Sequence, residues 1–318
     1  MDIGIGTDIT FGPKGLTVAL EPGKSAYFNH YWLRDNCPSS FDSQTRERVF
    51  DIFHLETAPH PRSAQLADDA LVLQRYSLSG AWQAELTLLP GELPTDGKLR
   101  KRLKADFEAL LSLPGERLLA LGSGSTKRRC RACLVEADNV RVIDLGPLYQ
   151  ALAGHFQDLN IEGGVVYHQQ LLLAQRGNGR GRENALVLLD LPQVLRDLQD
   201  GQLSATALQR IVPLPLPELD GVPLSLTDLS VTPSGALYFT ATAEATDSSY
   251  LDGACVGSVL GQLDAQLSIV ELSRLAPVVK IEGLAFQADG RPLLVADADD
   301  PTIASPLFTL DDFSEPAC

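Results

Sequence analysis

Four stretches of this chain repeat one grammar, and that repetition limits the fold more than any other feature. They are "DFEALLSLPGERLLALGSGS" from Asp106, "LNIEGGVVYHQQLLLAQRGN" from Leu159, "LTDLSVTPSGALYFTATAEAT" from Leu226 and "VKIEGLAFQADGRPLLVADADD" from Val279. Each opens on an acidic residue and runs into a short apolar segment. A turn follows, then a second apolar segment that ends in small or polar residues. Three of the turns, "LPGER", "TPSGA" and "QADGR", contain strong turn formers. The acids Glu108, Glu162, Asp228 and Glu282 stand 54, 66 and 54 residues apart.

Between these anchors lie further strand-like runs, among them "CLVEADNVRVIDL", "NALVLLDL" and "CVGSVLGQL". Each unit therefore holds about four short strands in a period near 55 residues, which predicts an all-β chain folded as a β-propeller. The spacing favours five blades, and six is also compatible. Helical periodicity is confined to "LGPLYQALAGHF" near 145–156 and "LPQVLRDLQDG" near 191–201, with Gly201 as a stop signal.

In a propeller the first strand of each blade lines the central axis. The four anchor carboxylates are then expected to gather at one end of it. Arg176, Asn178 and Glu244 sit at the ends of the second strands, so the expected ligand-binding set is Glu108, Glu162, Arg176, Asn178, Asp228, Glu244 and Glu282. Glu162, Asp228 and Glu282 are the expected ligands of a divalent cation such as calcium. Like charges held together raise one another's pKa unless a cation joins them. The competing reading is structural: such acids accept backbone N–H groups and lock blades together. The glycine-rich "GSGST" and "QRGNGRGREN" offer backbone N–H groups to a phosphate, although neither is a P-loop.

The formal net charge of −15 argues against nucleic-acid and anionic-membrane partners. The expected partner is a small molecule or cation, with a protein as the alternative. No apolar run reaches the roughly 20 residues that span a bilayer, and no secretory leader is visible. The five cysteines are too scattered for a disulfide framework, and a cytoplasmic setting is the simplest expectation. Cys130 and Cys133 form one CxxC pair, beside basic residues that could lower a thiol pKa.

Residues from about 67 to 313 resemble an uncharacterised bacterial propeller family, through "ADDALVLQRYSL", "LLALGSGS", "LNIEG", "QRGNG" and "KIEGLAF". The "IEG" strands are also distantly similar to those of phytase-like esterase propellers. That resemblance implies hydrolysis of phosphate or carboxylic esters with bound calcium, through Glu162-Gly163 and Glu282-Gly283 alone. The first residues do not follow the repeat. Trp32 to Pro38, "WLRDNCP", and "TRERVFDI" resemble the small β-rich N-terminal domain of gamma-butyrobetaine hydroxylase-like proteins over about residues 8–60. In that family the module holds structural zinc; here only Cys37 matches a ligand cysteine, so zinc is not expected.

The expected division is a module over 1–60 and a propeller over 61–318, joined by the proline-bearing segment 57–70. The first blade either takes its inner strand, expected near 50–60, from "RVFDIFHLET" or is incomplete. Hydroxylase activity is not expected, because no H-x-D iron motif is present. Four functions follow in order: ligand or cation binding at an acidic channel, metal-dependent ester hydrolysis, a protein scaffold, and an inactive dioxygenase remnant. No nucleophile elbow or Ser-His-Asp set is present.

Overall fold

The computed structural model describes residues 9–11, 15–21, 24–29, 71–77, 82–89, 104–137, 139–179, 181–245, 253–298, 304–310 and 313. The chain divides into two compact units. One holds 1–86 and 90–92, the other 87–89 and 93–318. The division thus lies beyond the linker expected at 57–70, a segment outside the described residues. The "WLRDNCP" run and the inner strand expected near 50–60 are also outside them.

In the first unit β1 (Ile9–Phe11), β2 (Gly15–Glu21) and β3 (Lys24–Asn29) form an antiparallel sheet in the order β1-β2-β3. A two-stranded sheet follows, made of β4 (Leu71–Tyr76) and β5 (Trp82–Leu89), with β5 running across the division.

The second unit contains four successive sheets, each strand pairing antiparallel with the next in sequence. The first blade is β6 (Phe107–Leu113), β7 (Arg117–Gly122), β8 (Arg131–Glu136) and β9 (Asn139–Asp144). The second is β10 (Ile161–Tyr167), β11 (Gln170–Gln175), β12 (Ala185–Asp190) and β13 (Leu208–Pro213). The third adds a two-residue strand, β14 (Glu218–Leu219), to β15 (Val222–Val231), β16 (Leu237–Ala245), β17 (Ala254–Leu263) and β18 (Ile269–Arg274). The fourth is β19 (Lys280–Phe286), β20 (Pro292–Asp297) and β21 (Leu307–Thr309). Four blades, not the favoured five, stand among the described residues of this unit. In each the quoted turn joins the first strand to the second. The first strands lie side by side in the order β6, β10, β15, β19, as a propeller requires.

Blade packing explains why some strands read as continuous apolar runs. In "QLLLAQ" and "ALVLLD" successive side chains point to opposite faces. Leu171, Leu173, Val187 and Leu189 enter the core shared with the first blade. Leu172, Ala174, Leu186 and Leu188 enter the core shared with the third. A third core, with Tyr238, Leu260, Ile281 and Leu294, joins the third and fourth blades. β6 alternates instead: Ala109, Leu111 and Leu113 are buried, while Leu110 is 50% exposed.

The two helices expected from periodicity are present: α1 (Gly146–Leu152) and α2 (Leu191–Gln199). Asp190 caps α2 by accepting the Gln193 N–H at 3.0 Å, and Gly201, with φ +80°, ends it. Among the described residues no helix is long and apolar enough to cross a membrane.

Candidate functional site

Every inner strand breaks its pairing register at the same place. The irregularity falls between Phe107 and Ala109, Ile161 and Gly163, Leu226 and Asp228, and Ile281 and Gly283. The bulged residues are therefore Glu108, Glu162, Thr227 and Glu282. A bulge inserts one residue and re-aims its side chain. Three of the four expected acids are bulge residues. The third blade departs: Asp228 lies one residue beyond, in register with Ala109, Gly163 and Gly283.

That slip of one position sends Asp228 elsewhere. Its carboxylate accepts the N–H of Leu229 at 2.7 Å and of Leu284 at 2.8 Å, and a further backbone bond comes from Gly164. It therefore ties β15 to β10 and β19. Gly163 permits this approach. A Cβ there would lie 2.7 Å from Asp228 Cα and 2.8 Å from its Oδ1. Burial pushes the Asp228 carboxyl up to about 7, against the lowering effect of those backbone bonds. For Asp228 the structural reading of the repeat holds. Thr227, at the bulge itself, donates to Thr240 Oγ1 at 2.9 Å.

Glu162, Glu244 and Glu282 converge on Arg176, the residue after β11. Its Nη1 lies 3.2 Å from Glu162 Oε2 and 3.5 Å from Glu282 Oε1. Its Nη2 pairs with the carboxylate of Glu244 at the end of β16, and its Nε donates to Ser225 Oγ at 3.3 Å. Burial works against the guanidinium's charge, but Glu162, Glu282 and Glu244 outweigh it and hold the pKa above the ordinary arginine value. Lys280 Nζ sits 3.4 Å from both Glu244 Oε1 and Glu282 Oε1. Asn160 donates to Glu162 Oε1 at 2.6 Å and to Asn178 Oδ1 at 3.4 Å, which brings Asn178 to the rim.

Sequence reasoning missed four members of this site: Asp106, Asn160, Ser225 and Lys280. Each stands two residues before a bulge. The signal was the two-residue strand period, which turns residues i and i−2 to one side. In the first blade Asp106 pairs with Arg129 and Lys104, and Arg129 Nη1 also donates to Ser125 Oγ at 2.9 Å.

Access differs sharply among these groups. Arg176, Lys280, Glu162 and Glu244 are buried, whereas the Glu282 side chain is 24% exposed and Glu108 reaches solvent. Burial pushes Glu282 up to about 7; Arg176 and Lys280 oppose the shift, and Glu162 and Glu244 add to it. Glu108 is held well above the usual carboxylate range, first by the protein packed around it and then by Glu162 and Asp106.

The expected metal triad does not form. Among the described residues no group of three or more His, Cys, Asp or Glu is arranged to hold a metal ion. The donor chemistry gives the reason. Both Glu162 oxygens serve Asn160 and Arg176, both Asp228 oxygens accept backbone N–H groups, and Glu282 faces Arg176 and Lys280. In the glycine-rich loops two backbone N–H groups are already bonded. Gly124 N donates to Arg129 O at 3.1 Å and Gly177 N to Asn184 Oδ1 at 2.9 Å, so these N–H groups are taken. The CxxC pair is not activated either. Burial pushes Cys133 up to about 11, and burial with nearby Asp144 raises Cys130.

Fold and site together define a β-propeller with a polar, charge-paired cluster at one end of its inner strands. The chain belongs to DUF6910, a family of unknown function whose model matches residues 100–301. No protein of curated function matches it. Among solved structures the chain is similar to a gluconolactonase from Xanthomonas campestris, at 18% identity and a TM-score of 0.38, over 66% of this chain and 60% of that one. The match thus spans less than two thirds of that protein. Virginiamycin B lyase from Staphylococcus aureus matches at 10% identity and a TM-score of 0.34, over 96% of this chain and 70% of that one. A glucose dehydrogenase matches at 12% identity and a TM-score of 0.39, over 96% of each chain. At such values no residue role carries over.

Proposed function

We propose that this cluster lines a mouth that binds a small polar ligand, and that Glu108 and Glu282 are the side chains the ligand meets first. The carrying observation is the contrast in access. Two carboxylates reach water, while the cations that balance the site, Arg176 and Lys280, are buried and committed behind them. An incoming molecule meets acceptor oxygens that become O–H donors on protonation. Such groups suit hydroxyl- or amine-bearing ligands. Asn178 adds an amide at the rim. Of the three expected cation ligands, Glu162 and Asp228 already have both oxygens hydrogen-bonded, which favours a polar molecule over a divalent cation.

Hydrolysis of an ester is a second reading, favoured by one observation. Glu282 is partly open to solvent and its carboxyl is pushed up to about 7, where a general acid–base works best near neutral pH.

A thermal-shift screen of small polar compounds tests the first reading. Sugars, sugar acids, amines and phosphorylated compounds are compared on the native protein and on Glu108→Gln and Glu282→Gln. A stabilising compound should lose its effect in at least one variant. Compounds that stabilise all three proteins equally would place binding elsewhere. Chromogenic esters, assayed with and without chelator, test the second: turnover should persist with chelator and fall in Glu282→Gln.

A further inference from the structure

We infer that Arg176 is the resident cation of this mouth: a tethered guanidinium takes the place that an exchangeable metal ion would occupy. Its contacts reach three blades. Glu162 belongs to β10, Ser225 and Glu244 to β15 and β16, and Glu282 to β19. The side chain is 5% exposed, so all its partners come from the protein. Glu162 and Glu282 approach one nitrogen, Nη1, from opposite blades, and Glu244 takes the other, Nη2. Three carboxylates converging from separate strands on one buried positive group is the arrangement expected around a cation.

A planar fork is suited to this task. It offers five N–H donors in fixed directions, and it stays charged at any pH the protein meets. A lysine is a single point charge and cannot serve three carboxylates and a hydroxyl in the same way. Lys280 complements the fork by covering Glu244 Oε1 and Glu282 Oε1, neither of which receives a hydrogen bond. Two consequences follow. The carboxylates keep their positions without a metal, so ligand binding does not depend on divalent ions. Arg176 is a positioning residue: it acts through Glu162, Glu244 and Glu282 and does not meet the ligand.

This inference concerns the same mouth but does not depend on which ligand it takes. Its test therefore uses probes of the cation seat alone. In Arg176→Ala Glu162 loses its counter-charge and Glu244 and Glu282 keep only Lys280, so Tm should fall by roughly 10 °C. Ethylguanidinium at millimolar concentration should restore part of that loss, and neutral ethylurea should not. Calcium or manganese should stabilise the variant and leave the native protein unchanged. Rescue by either cation in the variant, with no response in the native protein, supports the inference, because a solute that binds only the emptied seat stabilises the folded state. A folded variant that neither cation stabilises overturns it.

If Arg176→Ala does not fold, the native protein carries the test. Metal analysis and calorimetric titration with calcium and manganese should show no bound ion. Stoichiometric metal that disappears in Glu282→Gln would refute the inference, whatever the ligand screen finds.

Discussion

The second unit should lose stability as pH rises through neutrality, and Glu282 should carry much of the effect. Its carboxyl is pushed from an ordinary 4.5 to about 7. The folded protein therefore holds a proton that the unfolded chain releases at lower pH. A group raised in this way contributes stability that is complete below its unfolded value and is lost as pH climbs through its folded value. The window is thus about pH 4.5 to somewhat above 7. At about 1.4 kcal/mol per pH unit the upper limit is about 3 kcal/mol. The side chain is 24% exposed, and water reaching it reduces that to about 2 kcal/mol. For a unit of this size, about 2 kcal/mol corresponds to a Tm roughly 4–8 °C lower near pH 8 than near pH 5. Asp228, pushed up to about 7, acts in the same direction. Asp197 and Asp289 are held below 3.8, so their contributions change only in more acidic solution. The assay is Tm by circular dichroism across this range for the native protein and Glu282→Gln. The amide stays neutral, so the variant should match the native protein near pH 5, exceed it near pH 8, and depend less on pH. A variant slope equal to the native slope, or native stability that rises with pH, would refute the argument.

Two further outcomes follow from packing. Gly163→Ala should cost about 2–3 kcal/mol in urea unfolding, because the new Cβ meets the Asp228 backbone at 2.7 Å. Gly283→Ala is the control: its Cβ would meet Val295 at an ordinary 3.5 Å, so equal losses at the two sites contradict this reading. Cys133 is fully buried, with its thiol pushed up to about 11, so in native protein it should resist alkylation near pH 8. Peptide mapping reads this directly, and labelling of Cys133 as fast as in urea would show that the first blade opens readily.

The blade pattern was legible because it rests on local physics. An apolar run, a turn and a second apolar run make a hairpin wherever they occur, and the four quoted hairpins all form. Two helices, one with its glycine stop at Gly201, were legible for the same reason. The site was legible only as far as the repeat kept its phase. Glu108, Glu162 and Glu282 share one bulge position. The third blade carries "LTD" where the second and fourth carry "IEG", and a sequence match pairs the acids with one another. Register pairs Thr227 with the glutamates instead, and Asp228 then faces two neighbouring strands. The charge balance was hidden for a different reason. Lys280 opens "KIEG" and Arg176 closes "LAQR", one on an inner strand and the other just past a second strand, more than a hundred residues apart. Nothing local marks them as partners of one carboxylate. Only the packing of blade against blade brings both cations to Glu244 and Glu282. A glutamate at the bulge of three of the four inner strands therefore marks this site. In this chain the residue that follows β11 is Arg176, and its guanidinium stands between two of those glutamates.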